Sequence, residues 1–199
     1  MSYVTYSGLL RPAVRKYAVL YDCVIVVGFS ILVALSARIA ISLPFTPVPV
    51  TAQTLAVLLS GAVLGSRRGA LSLMMYLAYG AMGMPVFAEG KAGLPHLFGP
   101  TGGYLWGFVA AAFVTGLLAE RGWDRKAVTA FLAMLLGNVV IYLCGLPWLA
   151  RYVGYERVLI AGLFPFIPGD LIKLALATLL LPSGWKLLAL RVRGDCHLP

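Results

Sequence analysis

The chain has 199 residues, 61% of them hydrophobic and only 12% charged, against about 45–50% apolar and about 25% charged in soluble domains. With a mean hydropathy of +0.91, this excludes a soluble globular domain and describes an all-α integral membrane protein, a single membrane domain over residues 1–199. The net charge of +9 reads as Lys and Arg on cytoplasmic loops against anionic membrane lipid, and no basic run interleaved with aromatics points to nucleic acid.

Residues 1–18 form a basic cytoplasmic lead-in carrying Arg11, Arg15 and Lys16, with no short apolar segment before a small-residue cleavage site, so no cleaved signal peptide is expected. The first predicted span covers residues 19–43. Ser30 and Ala34, then Ser36 and Ala40, are each four apart. Small residues at that spacing let another helix approach closely, either within the bundle or from a partner. Arg38, near the outer end, snorkels to the headgroups. Prolines 44, 47 and 49 then rule out a helix over residues 44–51 and hold the chain extended. Apolar backbone of this kind is tolerated at membrane depth only where it is buried in protein or lines a cavity.

Gln53 opens a short second span over residues 52–65, Arg67 and Arg68 mark a tight turn, and the third span covers residues 69–84. The connection over residues 85–103 holds Glu89, the only acid between Asp22 and Glu120, together with Lys91 and the turn Gly99-Pro100-Thr101-Gly102-Gly103. Thr101 is a candidate N-cap for the fourth span, residues 103–119. Glycines before a helix N-terminus suit an anion, but no Lys-Ser or Lys-Thr follows them, so this is not a P-loop. After the turn with Arg121, Asp124, Arg125 and Lys126, the fifth span covers residues 127–149. Its Asn138 is read as an interhelical hydrogen bond. Trp148 and Tyr152 fit an interfacial aromatic belt, with a ligand wall as the alternative.

An apolar run from Val158 to Leu181 then contains one acid and one base, Asp170 and Lys173. The spacing i, i+3 puts both on one helix face. Pro165, Pro168 and Gly169 predict that the helix begins near Pro168, placing Asp170 in the first turn, where free N–H groups favour an anion. An ionisable pair at membrane depth marks a functional site by default, with a self-neutralising structural pair as the alternative. Residues 19–181 thus make a bundle of six transmembrane helices with long outward loops, and residues 182–199 a cytoplasmic tail. With both termini on one side, that side carries eleven Lys and Arg against four on the other, which makes the termini cytoplasmic. The Pro-rich loop, the Glu89–Lys91 loop, the Gly99–Gly103 turn and the Asp170/Lys173 pair then converge on a ligand site facing outward. Cys23, Cys144, Cys196, His96 and His197 share no metal-ligand spacing, so no metal or other cofactor is expected; Cys196 in the tail is the one candidate reactive thiol.

The blocks Pro44-Phe45-Thr46-Pro47-Val48-Pro49-Val50-Thr51-Ala52-Gln53-Thr54-Leu55, Gly83-Met84-Pro85-Val86-Phe87, Gly99-Pro100-Thr101-Gly102-Gly103-Tyr104 and Pro165-Phe166-Ile167-Pro168-Gly169-Asp170-Leu171-Ile172-Lys173 resemble the signature blocks of BioY, the biotin-specific substrate-binding S component of energy-coupling-factor (ECF) transporters. The resemblance implies a six-helix S component that captures biotin from outside. It also implies partnership with a transmembrane coupling protein and cytoplasmic ATPase subunits, which topple it to release biotin inward. The chain has no Walker motif of its own. The family's helix-docking motif maps onto Ser30, Ala34 and Ala37. A biotin site needs an acceptor for ureido N–H, an apolar slot, and a cation or helix N-terminus for the carboxylate. Asp170, Lys173, Glu89, Lys91 and Gln53 are the candidate polar contacts, and Phe45, Phe87, Tyr104 and Trp148 the candidate walls. Three other readings are an S component for another small carboxylated vitamin, an intramembrane enzyme using Asp170 and Lys173 as acid and base, and an assembly subunit with no ligand.

Overall fold

The computed structural model describes residues 5–12 and 14–195, and side chains as far as Leu187. Cys196 and His197 lie outside the described residues. The fold is helical: α1 (Tyr6–Leu9), α2 (Arg15–Ser36), α3 (Gln53–Leu64), α4 (Ser66–Ala81), α5 (Leu94–Leu97), α6 (Gly102–Ala119), α7 (Ala127–Val153), α8 (Val158–Gly162) and α9 (Ile167–Asp195), with a 3-10 turn at Ala88–Gly90. Among the described residues, four helices are long and apolar enough to cross a membrane: α2, α6, α7 and α9 over Ile167–Leu187. The second and third expected spans are shorter, 12 residues in α3 and 16 in α4. At about 1.5 Å per residue neither reaches the roughly 30 Å of a hydrocarbon core. Protein surrounds much of α3, with Val57, Leu58, Ala62 and Leu64 buried.

α6 is the hub, packing along α7, α3 and α4. Small residues make this possible: a Cβ on Gly61 of α3 would collide with the Ala112 carbonyl of α6. The core is apolar, with Val33, Val57, Leu73, Tyr76, Met134, Ile141 and Leu149 almost wholly buried. By contrast Leu20, Val24, Ile31, Leu32 and Leu35 of α2, and Leu171, Ile172, Leu176 and Leu179 of α9, are exposed. These faces suit lipid.

The ends of the first and last helices differ from the sequence reading. The first helix starts at Arg15 and stops at Ser36, seven residues before 43. The chain then turns into a two-strand antiparallel ladder, β1 (Ala40–Ile41) against β2 (Val50–Thr51), in register Ala40↔Thr51 and Ile41↔Val50. The Pro-rich segment is the loop of this hairpin. Prolines bar the return strand from helix, and the ladder supplies the hydrogen bonds that helix would have given. The last helix passes through Pro182 to Asp195. At its far end the Trp185 indole donates to Asp124 at 2.6 Å, and the Tyr6 ring lies 4.3 Å from Trp185. The basic lead-in therefore includes a short helix packed under the bundle, where Ser7 donates to the Leu64 carbonyl at 3.1 Å.

Ser30 and Ala37 are fully buried within the chain, while Ala34 is partly exposed. Most of the small-residue face of α2 is thus turned towards α3 and α4.

Candidate functional site

The turn Phe164–Gly169 ends in α9 as its prolines require, with the Asp170 N–H donating to Phe166 O at 2.9 Å. Asp170 sits in the first helical turn and is only 5% exposed. Its Oδ1 accepts from Lys173 Nζ at 3.1 Å and from the Thr54 hydroxyl at 3.5 Å. Its Oδ2 accepts from Asn138 Nδ2 at 3.0 Å and from the Tyr142 phenol. Lys173 also donates to Thr54 Oγ1 at 2.8 Å. Three helices thus meet at one carboxylate: α3 through Thr54, α7 through Asn138 and Tyr142, and α9 itself. Desolvating a charge costs several kcal/mol unless such partners surround it.

This network lines a pocket whose empty space, counting its open mouth, is about 570 Å³. α6 contributes Tyr104, Leu105 and Phe108 to the walls, α7 contributes Ile141 and Tyr142, and Phe166 stands beside the start of α9. The hairpin covers the pocket with Val48, Pro49 and Thr51, and the long connection adds Ala88, His96 and Thr101. Thr46 pins the hairpin by donating to Ala161 O at 2.6 Å. Irregular backbone therefore lines a cavity.

Four of the nine sequence-selected candidates line the pocket: Asp170, Lys173, Gln53 and Tyr104. The Gln53 amide donates to the Tyr76 phenol at 2.6 Å, and the Tyr104 phenol donates to Gly162 O at 2.9 Å. The other five lie elsewhere. Glu89 and Lys91 pair at 2.7 Å on the exposed loop, where Glu89 also accepts from Ser42. Glu89 holds φ 60°, an uncommon conformation for a residue other than glycine. Phe87 is fully buried behind the pocket, edge-on to Tyr76 and 5.1 Å from the His96 ring. Phe45 is 60% exposed. Trp148 packs on Gly103, where any Cβ would strike it, and donates to Gly99 O at 2.9 Å.

The residues of this site that sequence reasoning passed over are Thr54, Tyr142, His96 and Thr101 as a pocket group. Asn138 makes the interhelical bond expected of it, and its partner is Asp170. Asn138 and Tyr142 are i, i+4 on an apolar helix, so the one-face rule that singled out Asp170 and Lys173 also picks them out. Thr101 precedes α6, but its hydroxyl makes no cap and faces His96 Nε2 at 3.3 Å. Burial pulls the His96 imidazole below its ordinary pKa, helped by Lys91 and opposed by Glu89. His96 is therefore a neutral hydrogen-bonding group near pH 7.

Apolar helices of membrane-spanning length, closed around a pocket with a charged floor, define an integral membrane protein that holds a small molecule. The architecture matches the crystal structure of an S-component for biotin from an ECF-type ABC transporter, with a TM-score of 0.75 over 87% of this chain and 95% of that one at 24% identity. That likeness establishes a shared fold. The chain is 45% identical to the biotin transporter BioY of Thermotoga maritima, over 70% of this chain and 82% of that protein. It is 42% identical to the biotin transporter BioY of Rhizobium etli, over 76% of this chain and 85% of that protein. The BioY family profile matches residues 11–190; the chain belongs to the BioY family.

Proposed function

We propose that this protein is the biotin-binding S component of an ECF-type vitamin transporter. In this reading it captures biotin at the outer face of the cytoplasmic membrane and delivers it inward with a transmembrane coupling protein and cytoplasmic ATPase subunits. The observation that carries the proposal is the Asp170–Lys173 network at the end of an aromatic-walled pocket. Biotin has a polar cyclic urea, an apolar thiophane ring and a carboxylate tail. The network suits the urea, and Tyr104, Phe108, Tyr142 and Phe166 suit the thiophane. The polar lining outside that network, Thr51, Gln53, His96 and Thr101, suits the tail. Relatives of the chain are biotin transporters, which favours biotin over another vitamin and gives no support to an enzyme.

The Lys and Arg distribution supports six membrane passages, with the two short helices α3 and α4 among them and both termini cytoplasmic. In that orientation the hairpin and the 85–101 connection are the outer roof of the pocket. Glu89 and Lys91 then brace the roof from outside. On α2, Ala34 with exposed Ile31 and Leu35 is the surface offered to the coupling protein, while Ser30 and Ala37 serve the bundle.

Competition with bound labelled biotin tests the substrate. Unlabelled biotin should displace it at stoichiometric concentration, and thiamin, riboflavin, niacin and lipoate should not. Displacement by one of those vitamins at lower concentration than biotin would reassign the substrate.

A further inference from the structure

The end of the bundle opposite the pocket sorts its charges by sign. The acids whose side chains are described there, Asp22, Glu120 and Asp124, are all held by the fold itself. Asp22 lies between Arg11 at 2.8 Å and Arg68 at 3.1 Å. Glu120 reaches across to α4, its Oε1 accepting from the Ser66 N–H at 2.8 Å and from the Ser66 hydroxyl at 2.9 Å. Asp124 is 1% exposed. Its Oδ2 accepts from the Trp185 indole at 2.6 Å, and its Oδ1 is buried with no donor among the described residues. The cations beside these contacts are turned outward instead. Arg67 follows Ser66, Arg121 follows Glu120, Lys126 closes the turn that carries Asp124, and Lys186 follows Trp185. All four are exposed, and none forms an ion pair among the described residues. The Glu120–Ser66 and Asp124–Trp185 hydrogen bonds tie the three chain segments together. Four cations therefore share one rim from which the acids are withdrawn.

Towards the middle of the bundle the surface next to this rim is apolar. Leu132 and Leu136 on α7, and Leu176 and Leu180 on α9, are exposed, and α7 and α9 pack against each other. Trp185 stands between the two zones, its ring 4.6 Å from the Arg125 guanidinium and 4.3 Å from the Tyr6 ring. An indole in that position marks a membrane surface. Cations at the rim, an indole at the boundary and leucines beyond it follow the order of groups along a phospholipid. We propose that this rim binds one anionic phospholipid, with its phosphate among Arg67, Arg121, Lys126 and Lys186 and an acyl chain along the exposed leucines of α7 and α9. Basic clusters at the ends of membrane helices select anionic headgroups in this way. An acidic segment of a partner protein would satisfy the cations but leave the leucines beside them uncovered. The site is independent of what the pocket holds. In the orientation proposed above, its lipid belongs to the cytoplasmic leaflet.

Native mass spectrometry of the purified full chain, in detergent holding equal phosphatidylglycerol and phosphatidylcholine, tests this. Wild type should retain one phosphatidylglycerol in preference to phosphatidylcholine. Arg121→Gln and Lys126→Gln should each lower that preference about fivefold, the share of one cation at an anionic surface. Together they should lower it about 25-fold, since the two act independently. Arg121→Lys, which keeps the charge, should retain most of it. Arg157→Gln removes an exposed cation at the opposite end and should change nothing. Equal retention of the two lipids by wild type would overturn the proposal and leave the rim to an acidic protein surface. An equal loss of preference in Arg157→Gln would also overturn it, by reducing the effect to net charge. Inorganic phosphate in excess should not displace the retained lipid; displacement would make the rim a site for a free anion and overturn the lipid assignment.

Discussion

At the scale of single residues, the site is a problem of charge burial solved by hydrogen bonding. Asp170 is 5% exposed and has donors at both oxygens, Lys173 on Oδ1 with the Thr54 hydroxyl at 3.5 Å, and Asn138 and Tyr142 on Oδ2. Changing it to Asn places an amide where two or more donors point, and leaves Lys173 without its counter-ion. Asp170→Asn should weaken biotin by about 2–5 kcal/mol, the usual loss when one partner of a buried charged contact is removed. Arg151→Ala, which loses only a guanidinium lying 5.2 Å from the Trp148 ring, should leave affinity unchanged. Equal affinity of the two variants in calorimetric titration would remove Asp170 from the site. The acid and base were legible in the sequence because nothing else charged lies in that apolar run. Thr54 and Tyr142 were not, since a hydroxyl at membrane depth satisfies itself against its own helix as easily as against a ligand, and only the packing of α3 and α7 on α9 shows which. Glu89 and Lys91 illustrate the converse. Charges in a loop near a pocket attracted attention, yet they neutralise each other outside it.

At the scale of elements, helix interiors were legible and helix ends were not. Apolar length located the bodies of α2, α6, α7 and α9. The exit of α2 depended on a ladder between residues eleven and nine apart, Ala40 with Thr51 and Ile41 with Val50, and pairing across a loop leaves no local periodic signal. Likewise Pro182 reads as a stop but is tolerated within α9, whose far end Trp185 ties to Asp124. The small residues of α2 face two ways, which spacing alone does not separate: Ser30 and Ala37 inward, Ala34 partly outward. Ala34 borders a surface groove with Ile31, Leu35, Tyr79 and Met84. A bulky residue there, Ala34→Phe, should spare biotin binding and impair co-purification with the coupling protein. Lost binding with assembly intact would place Ala34 in the core that supports the pocket.

At the scale of the whole molecule, the division of labour follows from where each surface is satisfied. Lipid suits the outer faces of α2 and α9. Protein surrounds much of α3, and the pocket opens between a loop roof and a charged floor. Overall hydrophobicity made the membrane class legible from composition alone, and signature blocks spread along the chain made the family legible. The chain collects three of these four blocks, distant in sequence, around one cavity: Val48 and Pro49 from the first, Thr101 and Tyr104 from the third, Phe166, Asp170 and Lys173 from the last. Such an arrangement needs no partner to complete its pocket, so capture should be a property of the solitary chain. The most direct measurement is calorimetric titration of biotin into the purified, ligand-free protein in detergent, with mass spectrometry of any molecule carried through purification. The account predicts tight binding of one intact biotin per chain without coupling protein or ATPases. A folded, ligand-free chain that takes up no biotin, or a different vitamin retained through purification, would contradict it.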